Sequence, residues 1–253
     1  MSYQEFAPSR FLQPFVACYW QISYSQQERL VQTILPDGCA DIIFNFGTPF
    51  TSVAAGEKSV NDLNGFIVGS MTRPVISEST NGFDIMGIRF KPGGMYPFIH
   101  IPLTEFTDTV CDLQTFNLFN SWYEQLSGVT DSVERLGKID ALLTEIYKPS
   151  HEPNFTAALH IILKTRGYIR MKELSASIGL SQRQLERIFQ KRSGLTPKQM
   201  ASITQFQYMA NLVRNRGEES LFDLAIQGGY TDHAHFSKAF KIFSGVSPSD
   251  FIK

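Results

Sequence analysis

The sequence predicts a two-domain protein. Its amino-terminal α+β domain carries an antiparallel β-sheet or barrel followed by helices, and its carboxy-terminal all-α domain carries two helix-turn-helix units joined by a long helix. Three observations predict this. Short β-branched and aromatic runs crowd the first ninety or so residues; a proline-bearing stretch, "YKPSHEPNF" at 147–155, coincides with a change in charge; and the segment starting at Met171 can be laid over the segment starting at Leu221. A chain of 253 residues accommodates two ordinary domains, each with its own core.

The charge is divided along the chain. Residues 1–150 hold nine Lys and Arg against sixteen Asp and Glu, a net of −7, whereas residues 151–253 hold fourteen against eight, a net of +6. The overall −1 therefore hides an acidic half and a basic half, and the basic one suits a polyanion. The prolines at the crossover stop a preceding helix and keep the chain extended. The expected organisation is residues 1–148 as one domain, 149–153 as a linker and 154–253 as a second, basic domain.

Several function classes are disfavoured. No run of 18 apolar residues exists and the start "MSYQEFAPSR" lacks the basic-then-apolar order of a secretory signal, so a cytoplasmic chain without membrane contact is expected. Cys18, Cys39 and Cys111 are odd in number, far apart and free of any C-x-x-C pair, which argues against a disulfide framework and against zinc. The single histidine of residues 1–150 is His100, too few imidazoles to gather on a metal. Neither a cofactor, a metal site nor a catalytic residue is expected.

In the first half, "FVACYWQISY", "LVQTILPDGCADIIFNFG", "GFIVGSM" and "FDIMGIRF" read as strands, broken by Pro-Asp-Gly and Asn-Gly turn pairs. Helices are expected near 103–112, 116–126 and 131–147. The last opens with Asp131 as cap and Glu134 able to reach back, and its stripe of Val133, Leu136, Ile139, Leu142, Leu143 and Ile146 serves either its own domain or a homodimer. "KPGG" at 91–94 reads as a turn, because the phosphate-loop pattern G-x-x-x-x-G-K-[ST] is absent. Arg89 pairs with a neighbouring carboxylate or with an anionic ligand.

In the second half, Asn154 is expected to cap a helix through "FTAALHIILKTR". The repeat then begins: Leu174 falls on Leu224 and Gly179 on Gly229 at an offset of 50, and one inserted residue later Leu185 falls on Phe236, Phe189 on Phe240, Gly194 on Gly245 and Pro197 on Pro248. Each copy reads as helix, tight turn and second helix, capped by Ser181 in one and Thr231 or Asp232 in the other. That is the helix-turn-helix pattern, whose second helix enters the DNA major groove. At about 100° per residue, Leu185, Ile188, Phe189 and Arg192 turn inward. Gln182 in the first turn, with Arg183, Glu186, Arg187 and Gln190, is left for DNA. Arginine bridges guanine O6 and N7, and glutamine pairs with adenine N6 and N7. In the second copy Phe236, Ala239, Phe240 and Phe243 face inward, while Ala234, Lys238 and Lys241 face out toward phosphates, guanine or a thymine methyl.

His233 and His235 open the second of these helices. Two residues apart, they project about 200° apart on the helix and cannot share one metal ion. They meet a phosphate or a base edge, or else pack beside Tyr230 and Phe236. Between the copies, Thr196 caps a helix with Pro197 at its first position and Met200, Ile203, Phe206, Ala210 and Val213 as its stripe. Its length of about 28 Å, at about 1.5 Å per residue, suits two recognition helices set one DNA turn, about 34 Å, apart. Arg214 and Arg216 near its end reach phosphates or stay solvated.

Residues 154–253, and above all "GYTDHAHFSKAFKIFSGVSPSDF", resemble the DNA-binding domain of the AraC/XylS family of bacterial transcription regulators. The resemblance implies an amino-terminal sensing or dimerising domain, promoter DNA, RNA polymerase and in some members a small-molecule effector as partners, and activation more often than repression. Glu186 departs from the family pattern; it orients Arg183 or Arg187, or accepts from cytosine N4. "GIRFKPGG" at 87–94 resembles an amino-terminal domain found in a subset of such regulators, and names no effector residues. The competing reading is a DNA-associated enzyme of the alkylation-repair type acting through Cys39 in "PDGCADIIF", which lacks thiolate companions and basic neighbours in sequence.

Overall fold

The structure is a computed structural model; it describes residues 1–25, 30–47, 51–53, 63–79, 82–119, 121–217, 219–230 and 232–252, with the backbone alone for 51–53, Ser79 and His233. Among these, two antiparallel sheets occupy residues 1–112. The larger takes β1 (Ser2–Phe6), β2 (Val16–Tyr24), β4 (Ala40–Asn45), β6 (Gly65–Val68), β8 (Phe83–Phe90) and β9 (Val110–Asp112) in the order β1-β2-β8-β4-β6-β9. The smaller takes β3 (Leu30–Ile34), β5 (Thr51–Val53) and β7 (Val75–Ser79) in the order β3-β7-β5. The antiparallel sheet domain followed by helices, with a helical second half, is the expected fold class.

Alternation along the strands divides the large sheet into two working faces. Tyr19, Ile42, Phe44, Ile67, Met86, Ile88 and Phe90 point to one side and form a core with Trp122, Leu126, Leu136, Ile139 and Leu143. These last five come from α2 (Trp122–Ser127) and α3 (Ser132–Ile146). Trp20, Ile43, Phe83 and Ile85 point to the other side, toward the small sheet. Trp20 lies opposite Gly87 in the β2/β8 register, and a Cβ on Gly87 would stand 2.1 Å from the indole, so only glycine lets the ring lie there.

Several local expectations are corrected. The 103–112 segment is not a helix: Leu103–Phe106 is a single 3₁₀ turn and Val110–Asp112 pairs with β6 as an edge strand. The 116–126 segment is likewise split between a 3₁₀ turn at Asn117–Phe119 and the short α2. Asp131 caps α3 by accepting from the Glu134 amide, but the Glu134 carboxylate turns outward to Lys138 at 3.6 Å. Within the α3 stripe, Val133 leaves the core and is 71% exposed. Arg135 takes a buried place instead, its guanidinium 3.9 Å from the Phe46 ring centroid. Its long stem can thread among apolar residues while the head finds the Leu126 carbonyl. A short helix, α1 (Tyr96–Ile99), follows the KPGG segment, which closes as a turn with the Gly94 amide donating to the Lys91 carbonyl at 2.7 Å.

The second half begins with α4 (Pro153–Lys164). Glu152, not Asn154, stands at its cap position, because Pro153 with its fixed φ takes the first helical place. Then follow α5 (Met171–Ile178), α6 (Gln182–Ser193), α7 (Pro197–Arg214), α8 (Leu221–Gln227) and α9 (His233–Ser244). Two small cores flank α7: Phe155, Ile162, Leu174, Leu185 and Phe189 gather with Met200 and Ile203, while Leu224, Phe236 and Phe240 gather with Phe206, Met209 and Val213. The 18-residue α7 is thus a shared spine for both units. Among the described residues no helix is long and apolar enough to cross a membrane.

Candidate nucleic-acid interface

The two units repeat in hydrogen bonds as well as in sequence. The Leu180 amide donates to Ser175 O at 3.1 Å and the Tyr230 amide to Ala225 O at 3.0 Å, closing the two turns in the same way. Gly179 and Gly229 sit in these turns at φ 73° and 67°, where residues with a Cβ are strained. Ser181 caps α6 in a full capping box with Gln184, and Asp232, 51 residues on, caps α9 by accepting from the His235 amide at 2.7 Å. Thr231 lies outside the described residues. At the far ends, Gly194 and Gly245 close the helices at φ 76° and 79°.

The same register holds a pair that sequence reading missed. Ser193 Oγ donates to Phe189 O and Ser244 Oγ to Phe240 O, each at 2.9 Å, and each hydroxyl also accepts the amide two residues later. The repeat contained this signal, since Ser193 and Ser244 lie at the offset of 51 that aligns Phe189 with Phe240.

The outward faces are open. Gln182, Arg183, Glu186, Arg187 and Gln190 are exposed on α6, and Ala234, His235, Lys238 and Lys241 are exposed on α9. Among the described residues, Arg183, Arg187, Lys238 and Lys241 have no ion-pair partner, so their charge is available to a polyanion. The His233 side chain lies outside the described residues. His235 is exposed while its ring stands edge-on to Tyr230 at 5.4 Å, so it both packs and faces solvent. Arg187 lines a crevice with Tyr96, Ser150, Glu152 and Lys191. Arg214 stacks on Phe251 at 4.9 Å, which gives it a structural contact at the end of α7.

The inward end of α6 is fastened to the first domain. Thr107 Oγ1 donates to Gly194 O at 2.7 Å and Ser70 Oγ to Ser193 O at 2.9 Å. Arg192, buried, donates to Ser150 Oγ at 2.7 Å and lies 4.6 Å over the Tyr96 ring. No local pattern marks Ser70 or Thr107, because their partners are more than eighty residues away.

The first domain encloses a cavity of about 210 Å³ between its two sheets. Arg89 stands at its polar end, paired with Asp41 at 3.3 Å and Asp37 at 3.7 Å, so the carboxylate alternative for this residue holds. Cys39 lies between these two aspartates with its amide donating to Asp37 Oδ1 at 2.8 Å. Burial, and then the charges of Asp37 and Asp41, push its thiol well above the ordinary range, the opposite of what an attacking thiolate needs. Among the described residues no group of three or more His, Cys, Asp or Glu side chains is arranged to hold a metal.

A sheet domain joined to a doubled helix-turn-helix domain is the architecture, and comparison with known proteins matches each half separately. Residues 174–253 match a family model described as a helix-turn-helix domain, and residues 4–112 match one described as a domain of unknown function (DUF6597). Two curated relatives are similar over the second half. An uncharacterized HTH-type transcriptional regulator of Haemophilus influenzae is 29% identical over 98 residues, covering 39% of this chain and 33% of the relative. The uncharacterized HTH-type transcriptional regulator YidL of Escherichia coli is 32% identical over 97 residues, covering 38% and 32%. The matched stretch thus spans about a third of the length of these relatives. Among solved structures, an apo variant of ToxT from Vibrio cholerae shares the fold at a TM-score of 0.51 and 12% identity, over 92% of this chain and 96% of that one. The second half of the chain carries a helix-turn-helix domain.

Proposed function

We propose that this chain is a sequence-specific DNA-binding transcription regulator, acting as an activator, which inserts α6 and α9 into successive major grooves under the control of its first domain. The observation that carries the reading is the repeated frame itself: two helices with matching caps and turns, seated on one spine, each with an exposed face of cations that have no ion-pair partner among the described residues, joined on α6 by the amides of Gln182 and Gln190. The proposed contacts are Gln182, Arg183, Glu186, Arg187 and Gln190 from α6, and His233, Ala234, His235, Lys238 and Lys241 from α9. RNA polymerase is the proposed protein partner, the cytoplasm the proposed compartment and residues 1–148 the proposed sensing or dimerising part. The homodimer alternative for α3 has its most exposed apolar residue in Val133.

Fluorescence anisotropy against a set of promoter fragments tests this. Specific binding is expected, with the logarithm of affinity falling linearly with the logarithm of salt at a slope of about −0.9 per phosphate neutralised. Binding indifferent to both sequence and salt removes the reading. For the competing enzyme reading, a stoichiometric mass adduct on Cys39 after exposure to methylated DNA is the result that would reinstate it.

A further inference from the structure

The cavity between the sheets has a chemistry that the DNA-binding faces do not use. Its walls are apolar on both sides: Trp20, Ile43 and Ile85 come from the large sheet and Leu30, Ile34 and Val75 from the small one. Its polar end lies where β4 starts and β6 and β8 finish, and among the described residues it holds Asp37, Asp41 and Asp108 against Arg73 and Arg89, three carboxylates to two guanidiniums.

Asp41 is the central group there. It is only 8% exposed, and its Oδ1 accepts both the Trp20 indole N–H at 2.8 Å and Arg89 Nε at 3.3 Å. Its Oδ2 takes no hydrogen bond from any described residue. That oxygen is not among the buried side-chain atoms left without a partner, so it opens onto the cavity, where a donor can reach it. The lone guanidinium that touches it is shared with Asp37.

We infer that the cavity binds a small organic cation, an apolar body bearing a protonated amine whose N–H groups meet Asp41. A cation balances the excess carboxylate and supplies the donor Oδ2 lacks; the apolar body fills the space between Trp20 and Val75. An anion fits less well, because Arg89 spends Nε and one amino group on the two aspartates and Arg73 is exposed and already engaged. A purely apolar molecule would seal Asp41 from water with nothing in exchange. Burial already pushes the Asp41 carboxyl above its ordinary value, with Arg89 pulling it down and Asp37 pushing it up, as expected for an acid short of positive charge.

The polar end of the cavity is also the end that grips α6. Met71 and Asp108 line the cavity, and their chain neighbours Ser70 and Thr107 hold the carbonyls of Ser193 and Gly194. Asp108 further binds the Thr72 amide at 2.7 Å, tying the two loops together. A ligand seated against Asp41 thereby stiffens the clasp on α6. This regulatory part rests on the DNA-binding reading; the binding site does not.

Titration calorimetry on the full chain with three probes of one body, phenylbutylamine, phenylbutanol and phenylbutyrate, tests the site. The amine is expected to bind more tightly than the carboxylate by about tenfold or more. Asp41→Asn should weaken the amine by about tenfold and leave the alcohol within about threefold. Val75→Trp, with an unchanged circular dichroism spectrum, should abolish binding of all three. Tightest binding by phenylbutyrate, amine affinity indifferent to Asp41→Asn, or no heat from any probe each overturns the assignment. Hydrogen exchange with and without the amine reads the clasp: slower exchange in the last turn of α6 supports the coupling, and no change there removes it. A chain that binds the amine but no DNA keeps the site and loses the regulator.

Discussion

Thr107 and Gly194 are joined by a 2.7 Å hydrogen bond from the threonine hydroxyl to the glycine carbonyl, across 87 residues of sequence and from one domain to the other. It ends a recognition helix on the first domain. Thr107→Val keeps the shape and removes the donor, leaving a buried carbonyl short of a partner at a cost of about 1–3 kcal/mol. The expected outcome is a lower urea midpoint together with faster hydrogen exchange in the last turn of α6, while α9 keeps its protection.

Gly179 and Gly194 share a left-handed backbone but not their surroundings. A Cβ at Gly179 meets nothing within 4 Å, whereas one at Gly194 would stand 2.5 Å from Thr107 Oγ1 and 2.7 Å from Leu103 O. Gly179→Ala should therefore cost only the left-handed strain, about 1–2 kcal/mol. Gly194→Ala should cost clearly more and disturb the domain contact; equal losses in chemical denaturation would refute the difference.

Arg187→Ala and Lys238→Ala separate reading from anchoring. If Arg187 contacts a base, its loss costs about 1–3 kcal/mol and relaxes preference at one position of the site. If Lys238 contacts phosphate, its loss weakens all sequences alike and reduces the salt slope by about one. Selection of binding sequences for each variant, with salt titrations, distinguishes the two patterns.

The pH dependence of stability should carry the mark of Asp41. Its folded-state pKa is raised, with burial the largest cause, so above the ordinary carboxylate range the native state holds a proton that the unfolded chain has released. Stability from this group is present at low pH and is lost as pH rises through the folded value. Asn at this position does not titrate. The stability difference between Asp41→Asn and the parent should therefore move in favour of the variant as pH rises from about 4. Urea midpoints across that range check it, and a difference that is flat or moves the other way contradicts the assignment.

Much of the second half was legible because its signals are local and doubled. Leu185 with Phe189 and Phe236 with Phe240 are at helical spacing, Ser181 and Asp232 are caps, and each copy corroborates the other. In the first half β2, β4 and β8 were legible from their β-rich runs, and Arg89 from its need for a partner. The segment around Leu103 was not, since its apolar spacing suits a helix while its short 3₁₀ turn and edge strand are set by contacts with β6 and α6. Val133 lies outside the core where the stripe placed it, and Arg135, which the pattern did not mark, is buried because the Phe46 ring, distant in sequence, offers the guanidinium a face. The cavity was out of reach for a related reason: it exists only where two sheets meet, and the register that places Asp41 beside Arg89 is a tertiary fact.

The indole of Trp20 rests on Gly87 and points its N–H at Asp41, inside the cavity, whereas the second tryptophan, Trp122, is packed in the core on the opposite face of the sheet. The molecule thus comes with its own lamp in the chamber. Whatever enters displaces solvent around one fluorophore and leaves the other in the dark about it, so occupancy can be watched as a colour change in intrinsic emission, without label or reporter gene.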